Sequence, residues 1–131
     1  MKIKLPATAL LGLILSSCFS SGTIHGAKID DTLNRYGGAI RWGEFERAQE
    51  FQVPSKRTRL DLDWLRTIHV SSYEVIYKKE DLGGNIREQT AKIRYFIEGT
   101  GLEKTLLDRQ LWRYDEDVGN LMLETDLPVF Q

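Results

Sequence analysis

Four strand-like stretches separated by short glycine-bearing segments constrain the fold of this chain more than any other feature. The stretches contain many β-branched and aromatic residues or alternate polar with apolar side chains, as strands do. The intervening "DLGGN", "GTG" and "VGN" are turn signals. Long strands joined by short turns predict an antiparallel meander, in which each strand pairs with the next. The four stretches are residues 67–80, 86–98, 102–117 and 121–127.

Two helices are predicted ahead of these strands. Asp30 or Asp31 is a suitable N-cap for the first helix, and Pro54 ends the second because it cannot continue a helix. Gly37 and Gly38 lower the helix propensity of the first, so we expect them to allow another element to approach closely. Apolar residues recur at three- and four-residue spacing, which gives each helix one apolar face. They are Leu33, Tyr36 and Ile40 in the first helix and Phe45, Ala48 and Phe51 in the second.

The order of these elements predicts an α+β domain over residues 30–131, with N-terminal helices packed on a curved four-stranded antiparallel meander sheet. Residues 55–66 fit either a strand or a short helix or turn, and we favour the latter. The element order and the segment "AIRWGEFERAQEF", residues 39–51, resemble the ketosteroid-isomerase-like and nuclear-transport-factor-like cone fold, of which a reduced version would be cystatin-like. The resemblance implies a fold and not an activity, because this fold carries enzymes, binding modules and scaffolds.

The N-terminal residues have the features of an export signal. Lys2 and Lys4 precede "LPATALLGLIL", an apolar run much shorter than the roughly 20 residues that cross a bilayer as a helix. The run ends in "LSSC", residues 15–18, which resembles the lipobox of bacterial lipoproteins. That resemblance implies that a diacylglycerol is attached to the Cys18 thiol, that the chain is cut after Ser17, and that the new amine is acylated.

Cys18 is the only cysteine of the chain, and an odd cysteine in an exported protein needs an explanation. Lipid attachment supplies one, although a simple signal peptide with a chance cysteine is the alternative. Two or three acyl chains would anchor the protein stably in the membrane. In the lipoproteins that this box resembles, an aspartate after the cysteine retains the protein in the inner membrane. Phe19 occupies that position here, so the resemblance implies the periplasmic face of the outer membrane. Residues 1–17 are then the signal peptide, and residues 18–29 are a lipidated cysteine with a flexible tether.

Charge and motifs argue against several functions. The formal net charge of −1 gives no reason to expect a nucleic-acid partner. With Cys18 acylated no thiolate remains for a metal site, and no nucleophile triad is visible. Gly83 and Gly84 fit a hairpin turn and not a phosphate loop, since no helix is predicted after them. We therefore expect no cofactor and no metal, and we assign no catalytic residue.

Acid–base chemistry would need a titratable group held in a pocket. His69 alternates with Tyr73 and Tyr77 along the first long strand, and a base beside tyrosine hydroxyls would suit proton transfer. A half-exposed strand histidine is the competing interpretation, which we favour. The other titratable candidates are Glu74, Asp108 and Glu124.

The third long strand combines polar and aromatic side chains on one face, where Asp108 and Gln110 alternate with Trp112 and Tyr114. Such a face is typical of ligand pockets, while the alternative is a solvated face of ion pairs with Trp112 at the core edge. We predict a ligand or partner surface on the open face of the sheet, because aromatics beside arginines are enriched at binding surfaces. It would comprise Tyr95, Trp112 and Tyr114, with Arg109 or Arg113 beside them, and His69, Tyr73 and Tyr77 as further candidates.

These features together predict a membrane-anchored, non-catalytic binding or envelope-assembly module, with an envelope protein or a small apolar ligand as its partner. The alternative is a small ketosteroid-isomerase-like enzyme or small-ligand binder, with His69 beside Tyr73 or Tyr77. A deep closed cavity with His69 or Asp108 pointing inward would favour the enzyme. A filled interior with aromatics outside would favour a protein partner.

Overall fold

The computed structural model describes residues 21–131, apart from the side chains of residues 21–25 and 27, and has the α+β fold that the sequence predicts. Helices pack on one four-stranded antiparallel sheet. A 3₁₀ turn covers Pro54–Lys56. The helices are α1 (Ser21–Arg41), α2 (Phe45–Gln49) and α3 (Leu62–Leu65), and the strands are β1 (Ile68–Glu80), β2 (Ile86–Ile97), β3 (Glu103–Asp115) and β4 (Asn120–Leu123).

The sheet is the predicted meander, in which each strand pairs with its successor in the order β1-β2-β3-β4. Two bulges interrupt the pairing of β1 with β2, one between Val70 and Ser72 and one between Val75 and Tyr77. Each bulge inserts one unpaired residue, so the side chains beyond it exchange faces relative to simple alternation. β1 lies at one edge of the sheet, so one of its two sides has no strand partner among residues 21–131.

Helix α1 covers one face of the sheet with its apolar stripe. Leu33, Tyr36 and Ile40 are all buried, as their spacing predicts. Tyr36 meets the fully buried Trp112 edge-to-face at 5.1 Å between ring centroids. The helix-covered face is called the inner face below, and the opposite face, on which no described helix packs, the outer face.

The start of α1 corrects two predictions. The helix already includes Ser21, the first described residue, so Asp30 and Asp31 lie inside it and do not cap its N-terminus. The segment expected to be a flexible tether is helical from Ser21 onward, while residues 18–20 lie outside the described part of the chain. Ile29 is buried, because the apolar stripe of α1 continues about one turn further towards the N-terminus than we predicted.

The segment between α2 and β1 follows the favoured interpretation. The 3₁₀ turn at Pro54–Lys56 and the short α3, which Asp61 caps by accepting a hydrogen bond from the Trp64 amide, form a turn-and-helix connection and not a strand. Within residues 21–131 no helix has both the length and the hydropathy needed to cross a bilayer.

Candidate ligand groove and its polar floor

The aromatic residues expected on the open face lie on the inner face, so the predicted position of the binding surface is wrong. Trp112 is fully buried, Tyr95 is 3% exposed and Tyr114 is half-buried. Their alternation was assigned correctly, because Trp112 pairs with Leu123 and Tyr114 with Leu121 on one face. The error concerns which face the helices cover, since α1 packs against the face with the larger aromatic surface.

The predicted grouping of His69 with Tyr73 is also wrong. His69 pairs with Phe96 on the outer face and stacks on its ring, with the centroids 5.0 Å apart. The bulge after Val70 reverses the alternation, so Tyr73 pairs with the buried Ile93 and points into the molecule. Tyr77 returns to the outer face beyond the second bulge and is about half exposed.

The remaining sequence candidates are divided between the faces. Arg109, Arg113 and Glu74 are exposed on the outer face, and Arg113 Nε donates to Glu124 Oε1 at 2.8 Å. Asp108 alone among the titratable candidates lies buried on the inner face. The structure therefore brings together Tyr73, Asp108 and Trp112, and it separates them from the histidine and the arginines.

These three residues belong to a buried set that we call the polar cluster, and Gln110 is its centre. Gln110 Nε2 donates to Tyr73 Oη at 2.9 Å and to Asp108 Oδ2 at 2.8 Å. Gln110 Oε1 accepts from Gln89 Nε2 at 2.8 Å and from Trp112 Nε1 at 3.0 Å. One side-chain amide thus satisfies four polar groups in the interior, which is the condition for burying them without a large cost.

Burial shifts the ionisation of this cluster. Desolvation raises the pKa of Asp108 from 3.8 to about 6, although the hydrogen bond from Gln110 opposes the shift. Desolvation, with a smaller contribution from the Asp108 charge, also raises the pKa of Tyr73 to about 12, although the hydrogen bond from Gln110 opposes the shift. The pKa of Tyr36 lies well above its ordinary value for the same reasons, burial first and the Asp108 charge second. Both tyrosines are therefore neutral whenever Asp108 titrates.

Two oxygens at this level of the core have no hydrogen-bond partner. Tyr36 Oη and Gln89 Oε1 are both buried and unpartnered. An unpaired buried polar atom costs about 1–3 kcal/mol, so each such atom needs an explanation. For Gln89 an explanation is available, because this residue also lines an open groove.

The groove lies between α1 and β1 and has a volume of about 620 Å³. Gly37, Gly38 and Arg41 line its helix side, Lys78 lies on its strand side, and Tyr73 and Gln89 form its floor. A volume of this size falls within the roughly 300–1,000 Å³ typical of ligand sites. We call this site the α1/β1 groove.

The groove offers hydrogen bonds and positive charge, and it lacks a set of metal ligands. Nowhere in the described part of the chain do three His, Cys, Asp or Glu side chains converge as a metal site would require. Tyr73 and Gln89 present a hydroxyl and an amide, while Arg41 and Lys78 present cations. Reversible binding of a polar or anionic ligand is the chemistry that this arrangement supports.

No family model, curated protein or solved structure matches this chain. Sequence reasoning missed Gln89, Gly38 and Lys78 as candidates. A signal for Gln89 was present, since it is a polar residue in phase with Ala91 and Ile93 on the buried face of β2. Gly38 was predicted, with Gly37, to allow close approach by another element, but only Gly37 has a neighbour there and Gly38 faces open space. Nothing local indicates Lys78, because its position in the groove depends on how α1 crosses β1.

Proposed function

We propose that this chain is a bacterial lipoprotein, anchored through Cys18 to the periplasmic face of the outer membrane, whose small cystatin-like cone domain is a non-catalytic binding module. The α1/β1 groove is its ligand site. The "LSSC" box after a basic and apolar N-terminal segment supports the anchor. Because Ser21 is helical and follows Cys18 by only three residues in the sequence, the domain would be held close to the bilayer.

One observation carries the proposed binding function. Gln89 is 2% exposed, its Oε1 has no partner, and it lies on the floor of an open groove. This oxygen is buried beneath the groove surface, so a rotation of the Gln89 amide towards the groove would bring it to a ligand donor, and the resulting hydrogen bond would remove the cost of leaving it unpaired. The unpartnered atom therefore supports a ligand that occupies the groove.

The enzyme alternative has weaker support. A general acid or base must come within hydrogen-bond reach of its substrate. His69 and Tyr73 occupy opposite faces, and Asp108 is buried and joined to Tyr73 only through Gln110. Asp108 is not among the residues that line the α1/β1 groove, so a substrate held there would not touch this carboxyl group, the only one within residues 21–131 whose pKa is clearly shifted.

The anchor is tested by metabolic labelling with an alkyne-bearing fatty acid in a bacterial host. Wild-type chain should take the label and fractionate with outer membranes, and Cys18→Ser should lose both properties. Ser17→Ala is the matched control, because it keeps a small residue before the cysteine and should still be labelled. Label that persists in Cys18→Ser would contradict lipid attachment at this residue.

The groove is tested by crosslinking in living cells. A photoreactive amino acid replaces Ser71, which is exposed and lines the groove, or Glu88, which is exposed on the outer face as a control. We expect an adduct from position 71 that disappears when Gly38→Leu fills the groove. An adduct that is unaffected by Gly38→Leu, or that forms equally from position 88, would place the ligand elsewhere.

A further inference from the structure

We infer that the ligand of the α1/β1 groove is an extended peptide with acidic character, which adds to the free edge of β1 as a fifth strand. The inference rests on the proposed binding function and identifies its ligand class. Four features of the groove carry it: the unpaired edge of β1, the bare helix wall, the unpartnered acceptor on the floor, and the cations at the ends.

The strand side of the groove is an unpaired sheet edge. β1 has a strand neighbour on one side only among residues 21–131, and Ser72, Tyr73 and Val75 line the groove. In an antiparallel ladder alternate residues turn both their N–H and C=O groups to the same side. Residues 72–75, between the two bulges, keep a regular register with β2, so about two of them offer main-chain groups to an incoming strand.

The bulges limit how much chain can add here. Bulges disturb an edge and discourage the long uncontrolled pairing that leads to aggregation. Because the two bulges of β1 flank residues 72–75, the regular edge is short. It suits a peptide of a few residues better than a complete strand from a second sheet.

The helix side of the groove leaves room for a backbone to approach. A Cβ at Gly38 would have no atom within 4 Å, so the helix presents bare main chain to the open groove at this position. Gly37 serves a different purpose, since its missing side chain makes space for the ring of Tyr73. The free space beside Gly38 is therefore available to a ligand.

The floor of the α1/β1 groove favours a ligand that donates a hydrogen bond. Gln89 Nε2 donates one hydrogen bond to Gln110 Oε1 at 2.8 Å, whereas Gln89 Oε1 is buried and has no partner. An apolar ligand would leave this buried acceptor unsatisfied, whereas a ligand that donates a hydrogen bond to it would gain affinity. A peptide brings main-chain N–H and polar side chains, which are the donors that the floor lacks.

Charge at the ends of the groove favours an acidic segment. Arg41 lines one end, where its Nη1 donates to the carbonyl oxygen of Val70 at 2.7 Å, and Lys78 is exposed towards the other. The one carboxylate among the lining residues, Asp30, lies 3.6 Å from the guanidinium of Arg87. The lining therefore has a positive excess, which complements acidic side chains or a terminal carboxylate.

The test uses a displayed library of random octapeptides, selected on the full-length chain in detergent micelles. We expect enriched sequences to be acidic and free of central proline. Their affinity, measured by fluorescence anisotropy, should fall at least about tenfold for Gly38→Leu, equivalent to about 1.4 kcal/mol. Asp31→Leu is the control, with the same new side chain on an exposed position of α1 outside the groove, and should bind normally. Peptides that bind Gly38→Leu as well as wild type would overturn the inference.

Two charge-reversal variants of the protein and an N-methylation scan of the peptide test the inference further. Lys78→Glu should weaken binding of the selected peptide severalfold, whereas Lys79→Glu, which alters the outer face by the same charge, should not. Single N-methylation along the peptide should abolish binding at every second position, because a strand pairs through alternate residues. Loss of binding at N-methylated positions that do not alternate along the peptide would exclude strand addition.

The two proposals can fail separately. If no octapeptide is enriched but the crosslink from position 71 still depends on an unfilled groove, the binding function stands and the peptide assignment is wrong. If neither result is obtained, both are wrong.

Discussion

Gly37 of α1 lies directly against the ring of Tyr73 of β1, so that a Cβ at position 37 would stand only 2.6 Å from Tyr73 Cε1. This contact sets how closely the helix crosses the edge strand. The ring cannot move aside freely, because it is largely buried and Tyr73 Oη accepts a hydrogen bond from Gln110. The contact thus couples the position of α1 to the polar cluster and to the width of the α1/β1 groove.

Gly37→Ala should destabilise the fold, although alanine favours a helix. Overpacking costs about 1–3 kcal/mol, and the better helix propensity of alanine returns about 1 kcal/mol. We expect a net loss of about 1 kcal/mol in the free energy of unfolding, measured by urea denaturation. Gly38→Ala is the matched control and should raise the stability by about 0.5–1 kcal/mol, because its Cβ would meet open space. Equal effects of the two substitutions would contradict the close contact of Gly37 with Tyr73.

Asp108→Asn should stabilise the protein at neutral pH. The folded-state pKa of about 6 lies above the ordinary value of 3.8, so the folded state holds the proton to higher pH than the unfolded state does. This difference in pKa adds to the free energy of unfolding. The added stability is fully present below pH 3.8 and is lost as the pH rises through 6. A shift of this size corresponds to about 3 kcal/mol at most. Asparagine cannot ionise, and its carbonyl can still accept from Gln110.

The measurement compares the unfolding free energies of wild type and Asp108→Asn at pH 4 and pH 7.5. The difference should be small at pH 4 and should favour the variant at pH 7.5. Tyr36 and Tyr73, the titratable groups whose charges couple to Asp108, stay neutral over this range and should not contribute. A difference that does not change with pH would show that Asp108 keeps an ordinary pKa.

Trp112→Ala should cost about 3–5 kcal/mol, the range for removing a buried large side chain. Trp112 is fully buried, meets Tyr36 edge-to-face and donates to Gln110. Trp42→Ala is the control, since Trp42 is 71% exposed and its ring packs against the guanidinium of Arg41 at the surface. It should change the stability by less than about 1 kcal/mol. A mild effect at Trp112 would mean that this side chain is not in the core.

Tyr36→Phe and Tyr73→Phe should differ although both remove one buried hydroxyl. Tyr36 Oη has no partner, so its removal should leave stability unchanged or raise it by up to about 1 kcal/mol. Tyr73 Oη accepts from Gln110, and its loss should cost about 1 kcal/mol. Thermal unfolding of the two variants gives the comparison. A larger loss at Tyr36 than at Tyr73 would contradict this hydrogen-bond assignment.

The sequence by itself determined the antiparallel meander and, along β2 and β3, which residues share a face. Alternation along β2 put Ala91, Ile93 and Tyr95 on one face, and short glycine-bearing turns implied the meander, because both signals are local. The same rule placed Asp108 in phase with Trp112. These assignments hold in the structure, since no bulge interrupts the pairing of β2 with β3.

Tertiary structure alone decided which face is covered and which candidates meet. Alternation distinguishes two faces but does not say which one α1 packs against, so the aromatics predicted for the outside are in the core. The bulge after Val70, which depends on pairing between distant segments, separated His69 from Tyr73 and placed Tyr73 beside Gln110, and the second bulge separated Tyr73 from Tyr77. The α1/β1 groove arises from the crossing of a helix and an edge strand about 35 residues apart in sequence, a long-range relationship that no local pattern encodes.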